Sequence, residues 1–225
     1  MVTTTVYLIR HAEAMGNIDG TFQGHSDCEI SPNGEKQLEF LRERFKEIEY
    51  DAIFSSPLKR AVRTAEAVNF YRGFEIHTDK GLMEINGGVF EGQKWTDLPK
   101  LFPEAYDLWE NDFGKFYVDG GESMENVFNR ITLAITQLAA RNRGKTIAVV
   151  SHGCAIRNFL CYANGKSLSQ INEVEWAENT AVSKIEFDGN LKPSVIFQND
   201  VSHLTQSEMT ISKQSWFKKE LLSAK

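Results

Sequence analysis

An unbroken run of β-favouring apolar residues, Val6-Tyr7-Leu8-Ile9, passes straight into Arg10-His11, and a second run over residues 146–150 passes straight into Ser151-His152-Gly153. A strand with one wet face alternates apolar and polar residues, so uninterrupted runs predict strands buried on both faces. Helical patterns separate these runs. Ser31-Pro32 opens one helix, with Ser as N-cap and Pro at the first helical position, and its Leu38, Leu41, Phe45 and Ile48 recur at helical spacing. Residues 52–54 read as a short strand, followed by Ser55-Ser56-Pro57 and a helix carrying Ala61, Ala65 and Val68; a weaker strand signal covers residues 74–77. Met124, Val127, Phe128, Ile131, Ile135 and Leu138 form the clearest amphipathic helix, capped by Ser123, and Ile156, Phe159 and Leu160 mark another after the second run. Strands alternating with helices predict a three-layer α/β/α sandwich around a mainly parallel sheet. Ligands bind such sheets outside the carboxyl ends of the strands. Arg10-His11 and Ser151-His152 both fall there, far apart in sequence.

Some segments depart from this alternation. Residues 80–121 are irregular and rich in aromatics, including Trp95, Phe102, Tyr106, Trp109, Phe113, Phe116 and Tyr117. They predict an inserted cap over the strand ends, its aromatics packing the insertion itself rather than forming a platform for a sugar or base. Residues 181–187 and 194–197 flank Asp188-Gly189-Asn190 and read as a hairpin. Residues 216–222 suggest a short terminal helix. The 225 residues, 41% hydrophobic and 25% charged, suit one domain over residues 1–225. A net charge of -6 argues against nucleic-acid or membrane partners, which require a basic face. It leaves an anionic substrate open, because a few arginines can dominate a pocket. Cys28, Cys154 and Cys161 lack any paired spacing, so no disulfide framework or zinc knuckle is expected and a reducing cytosol suits them. The apolar run before Arg10 is too short for a signal peptide or membrane span. The expectation is a soluble, cytoplasmic protein.

A histidine at a strand end, backed by arginines, suits attack on a phosphoryl group. Neutral imidazole is nucleophilic near pH 7, and a phosphohistidine divides one hard displacement into two easier ones. Charge spread over the transferring oxygens calls for fixed cations, and the planar guanidinium fork can grip two oxygens at once. Arg10 and Arg60 are the candidates, with His152 as a further donor. Glu84, at the start of the irregular stretch, can reach over the pocket to protonate the leaving oxygen; Glu13 and Glu91 are the alternatives. His25, His77 and His203 read as ordinary core or surface histidines, and Arg63 as a solvated helix-face residue. Cys154 reads as a small buried residue, and as the next nucleophile to consider after His11. The spacings of His11, Glu84 and His152 match no metal-ligand pattern.

Leu8-Ile9-Arg10-His11-Ala12-Glu13, with Asn17 following, resembles the L-x-R-H-G-E-x-x-x-N signature of the phosphoglycerate mutase-like histidine phosphatase superfamily. Gln23-Gly24 resembles its loop pair, and Ile30-Ser31-Pro32-Asn33-Gly34 its next helix start. Ser55-Ser56-Pro57-Leu58-Lys59-Arg60-Ala61 with Thr64-Ala65 is similar to S-S-P-L-x-R-A-x-x-T-A. Glu84 with Gly88, Glu91 and Gly92, then Gly120-Gly121-Glu122-Ser123, then Ser151-His152-Gly153, follow in the family's order. The resemblance implies His11 as phosphate acceptor, Glu84 as acid/base, and Arg10, Arg60 and His152 as the phosphate pocket. Asn17, Gln23, Gly24 and the amide near Gly153 would be secondary substrate contacts. It implies no metal and no organic cofactor. Ala12 stands where the family has glycine, and Cys154 where mutases commonly have a small polar residue. The expected activity is hydrolysis of a small phosphate ester. The alternatives are a phosphoglycerate mutase, for which residues 84–152 are short by family comparison, and a non-catalytic phospho-ligand binding module. No motif names the substrate, and a homodimer stays open.

Overall fold

The computed structural model describes residues 2–214 and Trp216. Among them, strands β1 (Thr4–Arg10), β2 (Ala52–Ser55), β3 (Ile76–Thr78), β4 (Thr146–Ser151), β5 (Val182–Phe187) and β6 (Pro193–Asp200) form one sheet in the order β3-β2-β4-β1-β5-β6. Only β5 runs against the others. The helices are α1 (Met15–Asp19), α2 (Pro32–Phe45), α3 (Lys59–Val68), α4 (Leu98–Leu101), α5 (Pro103–Asn111), α6 (Met124–Arg141) and α7 (Gly153–Ala163).

The uninterrupted apolar runs have the expected cause. In β4, Ile147 and Val149 join a core with α6 and α7, while Ala148 and Val150 join a second core with α2 and α3. In β1, Val6 and Leu8 face the first core and Ile9 the second. Both sheet faces are therefore covered, which gives the three-layer sandwich. The caps read from sequence are present: Ser31 Oγ accepts from the Gly34 amide at 2.9 Å, and Ser123 Oγ accepts from the Asn126 amide at 3.2 Å. Two boundaries move. α2 closes at Phe45, before Ile48, with a tight turn from the Lys46 amide to the Glu43 carbonyl. β3 starts at Ile76 rather than at residue 74, because the Asn69 side chain ties up both the amide and the carbonyl of Phe74. The expected helix over 216–222 lies outside the described residues, Trp216 apart.

Register decides where the chemistry sits. β1 and β4 are adjacent and parallel with Arg10 opposite Ser151, so His11 and His152 leave the sheet at the same level. β2 lies beyond β4 with Ser55 opposite Val150, which brings Ser56 and the start of α3 to the same edge. Residues 80–121 fold as short turns with α4 and α5, and Leu82, Phe90, Leu98, Trp109, Phe113 and Phe116 extend the α6/α7 core. After β6 the chain crosses back: the Gln37 side chain donates to the Glu208 carbonyl at 2.7 Å, and the Thr210 hydroxyl bonds Glu178 and Asn179. Among the described residues, no helix is long and apolar enough to cross a membrane.

Candidate active site

His11 follows directly from the end of β1. Its amide donates to the Ser151 carbonyl at 3.0 Å, and its carbonyl accepts from Asn179 Nδ2 at 2.9 Å, so the backbone is held from both sides. Its Nδ1 lies 2.7 Å from the Ala12 carbonyl. A carbonyl oxygen only accepts, so Nδ1 carries the proton and Nε2 keeps the lone pair. The methyl of Ala12, in the family's glycine position, is buried against Leu38 and Ala67 and displaces no polar group.

Three more nitrogen-bearing side chains surround this imidazole. Arg60, 1% exposed, donates through its two terminal nitrogens to the carbonyls of Ser26 and Gly24, both at 2.7 Å. Arg10, 6% exposed, donates to the Ala177 carbonyl at 2.5 Å. The His152 ring lies 5.0 Å from that of His11, and its Nε2 is 2.7 Å from Ser56 Oγ. Arg10 Nε, Arg60 Nε and His152 Nδ1 are all buried without a hydrogen-bond partner among the described residues. Buried polar atoms are nearly always paired, so a cluster of orphaned nitrogens beside one imidazole describes a receptor for an anionic, acceptor-rich group.

Glu84 comes from the irregular stretch. One carboxylate oxygen accepts from the amides of Ile85 and Ala155, the other from that of Cys154, each at 3.0 Å. Its carboxylate thus sits on the first turn of α7, the helix that His152 caps, and lines the same cavity as Arg10, His11, Asn17, Gln23 and Gly153. The alternative carboxylates are engaged elsewhere. Glu13 accepts from the Ser31 hydroxyl at 2.6 Å and does not line the cavity. Glu91 accepts from the amides of Gly24, His25, Ser26 and Gly87 and from the Ser26 hydroxyl. Burial works against its ionisation, but these donors outweigh it and hold the carboxyl below its ordinary range. Cys154 also lines the cavity, but as a thiol whose ionised form is disfavoured. Burial and then the nearby Glu84 push its thiol well above the ordinary value, and its Sγ lies 3.6 Å from Met124 Sδ.

The secondary residues divide into two groups. Asn17, its Oδ1 bonded to the Ala14 amide at 3.0 Å, and Gln23 line the cavity as expected. Gly153 lets the Arg10 guanidinium lie against the start of α7, where an added Cβ would come within 3.2 Å of Arg10 Nε. Gly24 instead stands behind the cavity: its carbonyl holds Arg60, and any Cβ there would run into the Glu91 carboxylate and the Ile85 carbonyl. Sequence reasoning missed Glu91 as the anchor of the loop that holds Arg60, Ser56 as the partner of His152, and Asn179 as the clamp on His11. It did not foresee a second place for two aromatics. Trp95 and Trp109 pack the core as expected, and they also line the cavity, joined there by Trp176 and Trp216.

Burial, then Arg60 and Arg10, pushes the His11 imidazole well below its ordinary value; burial, then Arg60, His11 and Arg10, does the same to His152. Burial and Arg44 also take His203 down to about 4. Above the ordinary histidine value of 6.5, folded and unfolded chains are alike at these sites. Below it the unfolded chain binds protons that the folded one refuses, so stability falls by up to about 1.4 kcal/mol per pH unit for each such histidine. Thermal unfolding should therefore show Tm dropping by roughly 5 °C or more between pH 6.5 and pH 5. Sulfate, a dianion throughout that range, should recover much of the loss at matched ionic strength by letting the two site histidines charge. A Tm indifferent to pH over this window would contradict the electrostatic picture.

Comparison with known proteins places this geometry. Residues 6–200 match the model of the histidine phosphatase superfamily, branch 1. The chain belongs to that superfamily and is an enzyme of that kind. Phosphoglycerate mutase-like protein 4 of Arabidopsis thaliana is 32% identical over 206 residues, 90% of this chain and 87% of that protein. Phosphoserine phosphatase 1 of Hydrogenobacter thermophilus is 32% identical over 163 residues, 72% of this chain and 77% of that protein. Among solved structures, Bacillus stearothermophilus YhfR superposes with a TM-score of 0.84 at 30% identity, covering 89% of this chain and 98% of that one.

Proposed function

We propose that the chain hydrolyses a small phosphate monoester through a phosphohistidine on His11, without a metal ion. The observation that carries this reading is the set of orphaned nitrogens on Arg10, Arg60 and His152 around an imidazole whose Nε2 holds a lone pair. Nε2 attacks phosphorus, the bond to the leaving oxygen breaks, and Glu84 gives that oxygen a proton. Water then attacks the phosphohistidine and loses a proton to Glu84. The N–P bond breaks, and inorganic phosphate leaves with His11 neutral again. Nδ1 keeps its proton throughout and donates it to the Ala12 carbonyl, holding the ring while it carries phosphate. The Ser56 hydroxyl accepts from the Leu58 amide at 3.3 Å and can donate its own proton to His152 Nε2; in that tautomer His152 Nδ1 carries the proton and offers it to the phosphate. The two guanidiniums and His152 supply the charge work that a divalent ion performs in metal-dependent phosphatases. The three cysteines are free thiols, which suits the cytoplasm.

Phosphate release from an aryl ester should survive thorough chelation. Loss of activity with EDTA, restored by one divalent ion, would overturn the metal-free step. Given 3-phosphoglycerate, the enzyme should either release phosphate to water or leave the ester alone. Interconversion with 2-phosphoglycerate, dependent on catalytic 2,3-bisphosphoglycerate and faster than phosphate release, would make it a mutase.

A further inference from the structure

All four tryptophans of the chain, Trp95, Trp109, Trp176 and Trp216, line the small cavity that holds His11 and Glu84. They come from distant parts of the chain and close a circuit. Ring centroids are 5.3 Å apart for Trp95–Trp109, 6.1 Å for Trp109–Trp176, 5.0 Å for Trp176–Trp216 and 5.7 Å for Trp216–Trp95. Phe22 packs on Trp95 and Trp109 at 5.1 and 5.3 Å. The cavity itself measures about 60 Å³, and these rings form most of its apolar wall.

Chance does not readily gather every indole at a phosphate site, and packing alone does not require it. Trp109 and Trp95 are 9% and 8% exposed and serve the core as well, whereas Trp176 and Trp216 are only partly buried and finish the wall from outside. The C-terminal segment brings Trp216 there. Thr210 is bonded to Glu178 and Asn179, and the Ile211 amide donates to the Glu178 carboxylate at 2.9 Å, so the chain is pinned five residues short of the indole.

The charged groups narrow the substrate further. Among the described lining residues, Arg10 is the only cation and Glu84 the only acid, and both are taken up by the phosphoryl chemistry. A glycerate or amino-acid carboxylate would enter the cavity with no second cation to meet it. An ammonium group would meet the Arg10 guanidinium in the cavity and that of Arg157 behind the Trp176 ring, like charges that a neutral ring does not feel. The Arg157 guanidinium already covers the Trp176 ring at 4.5 Å and the Phe113 ring at 4.8 Å.

Building on the hydrolase reading, we propose that the tryptophan circuit is the leaving-group subsite and that the substrates are phosphate monoesters of aromatic or bulky apolar alcohols, with Trp176 and Trp216 setting the preference. Leaving-group acidity would confound phenyl against alkyl esters, so the test uses primary alcohols of similar acidity. Initial-rate kcat/KM is measured for 2-phenylethyl phosphate, ethyl phosphate, phosphoserine, 3-phosphoglycerate and phosphocholine. The phenylethyl ester should exceed ethyl phosphate and the three charged esters by about tenfold or more, the gain expected from burying one aromatic ring. In Trp176→Ala and Trp216→Ala the phenylethyl-to-ethyl ratio should collapse towards one whatever the absolute rates, and Trp176→Phe should restore most of it. As a readout independent of turnover, 2-phenylethylphosphonate should inhibit more strongly than ethylphosphonate, with quenching of indole fluorescence. A preference for phosphoserine, 3-phosphoglycerate or phosphocholine, or a ratio unchanged in both alanine variants, would overturn the proposal while leaving the hydrolase intact. Phosphate release from none of the esters would instead overturn the hydrolase reading itself.

Discussion

Replacing His11 with alanine is expected to lower kcat/KM by about ten-thousandfold or more, the scale on which losing a covalent nucleophile is felt. The fold should tolerate the change. His11 is buried, 4% exposed, yet its ties to neighbouring strands run through its amide and carbonyl, which alanine keeps. The lost imidazole was a polar group held neutral between two guanidiniums, so Tm should stay within about 5 °C of wild type. Phosphate affinity should persist, because Arg10, Arg60 and His152 retain their orphaned nitrogens. A variant that binds phosphate and does not turn over separates bond formation from charge stabilisation. His152→Ala should weaken both together. Loss of phosphate binding in His11→Ala, or turnover near wild type, would contradict these assignments.

The second large effect concerns Glu84. Replacing it with glutamine removes the transferable proton and sets an amide nitrogen against one of the three backbone donors that now hold the carboxylate. Some loss common to all substrates follows from that local mismatch at the start of α7. The informative quantity is the difference between substrates. An alkyl phosphate, whose leaving alkoxide needs a proton as the bond breaks, should lose roughly a hundredfold to ten-thousandfold. Nitrophenyl phosphate, whose leaving group is stable as an anion, should lose about tenfold or less. Equal losses for both would take the acid role away from Glu84. Glu13 and Glu91 could not inherit it in place, since one is held by Ser31 and the other by the 24–26 loop.

What could be read from sequence and what could not follow from the range of the signals. Strand runs, caps and helical spacing are local, so the sandwich, the positions of Arg10, His11 and His152 at strand ends, and the caps of α2 and α6 were all legible. Arg60 was legible because it is the second residue of a helix that starts just beyond such a strand end. Glu91 was not, because its work consists of accepting from amides some 65 residues away in the chain. Gly24 was read as a substrate contact, whereas its place is set by close approach to Glu91 and Ile85. The tryptophan circuit was hidden for the same reason. Trp95 and Trp109 sit in a stretch without periodicity, and nothing local to Trp176 or Trp216 announces that tertiary folding brings them together.

The central claim is that phosphate resides covalently on His11 between two displacements. Rapid acid-free quenching of wild type with labelled substrate in the first turnover tests it most directly. The account predicts a phosphoenzyme that survives alkali, is lost in acid as a phosphoramidate is, and maps to the peptide containing His11. Label that survives acid, or label trapped at wild-type level in His11→Ala, would contradict it.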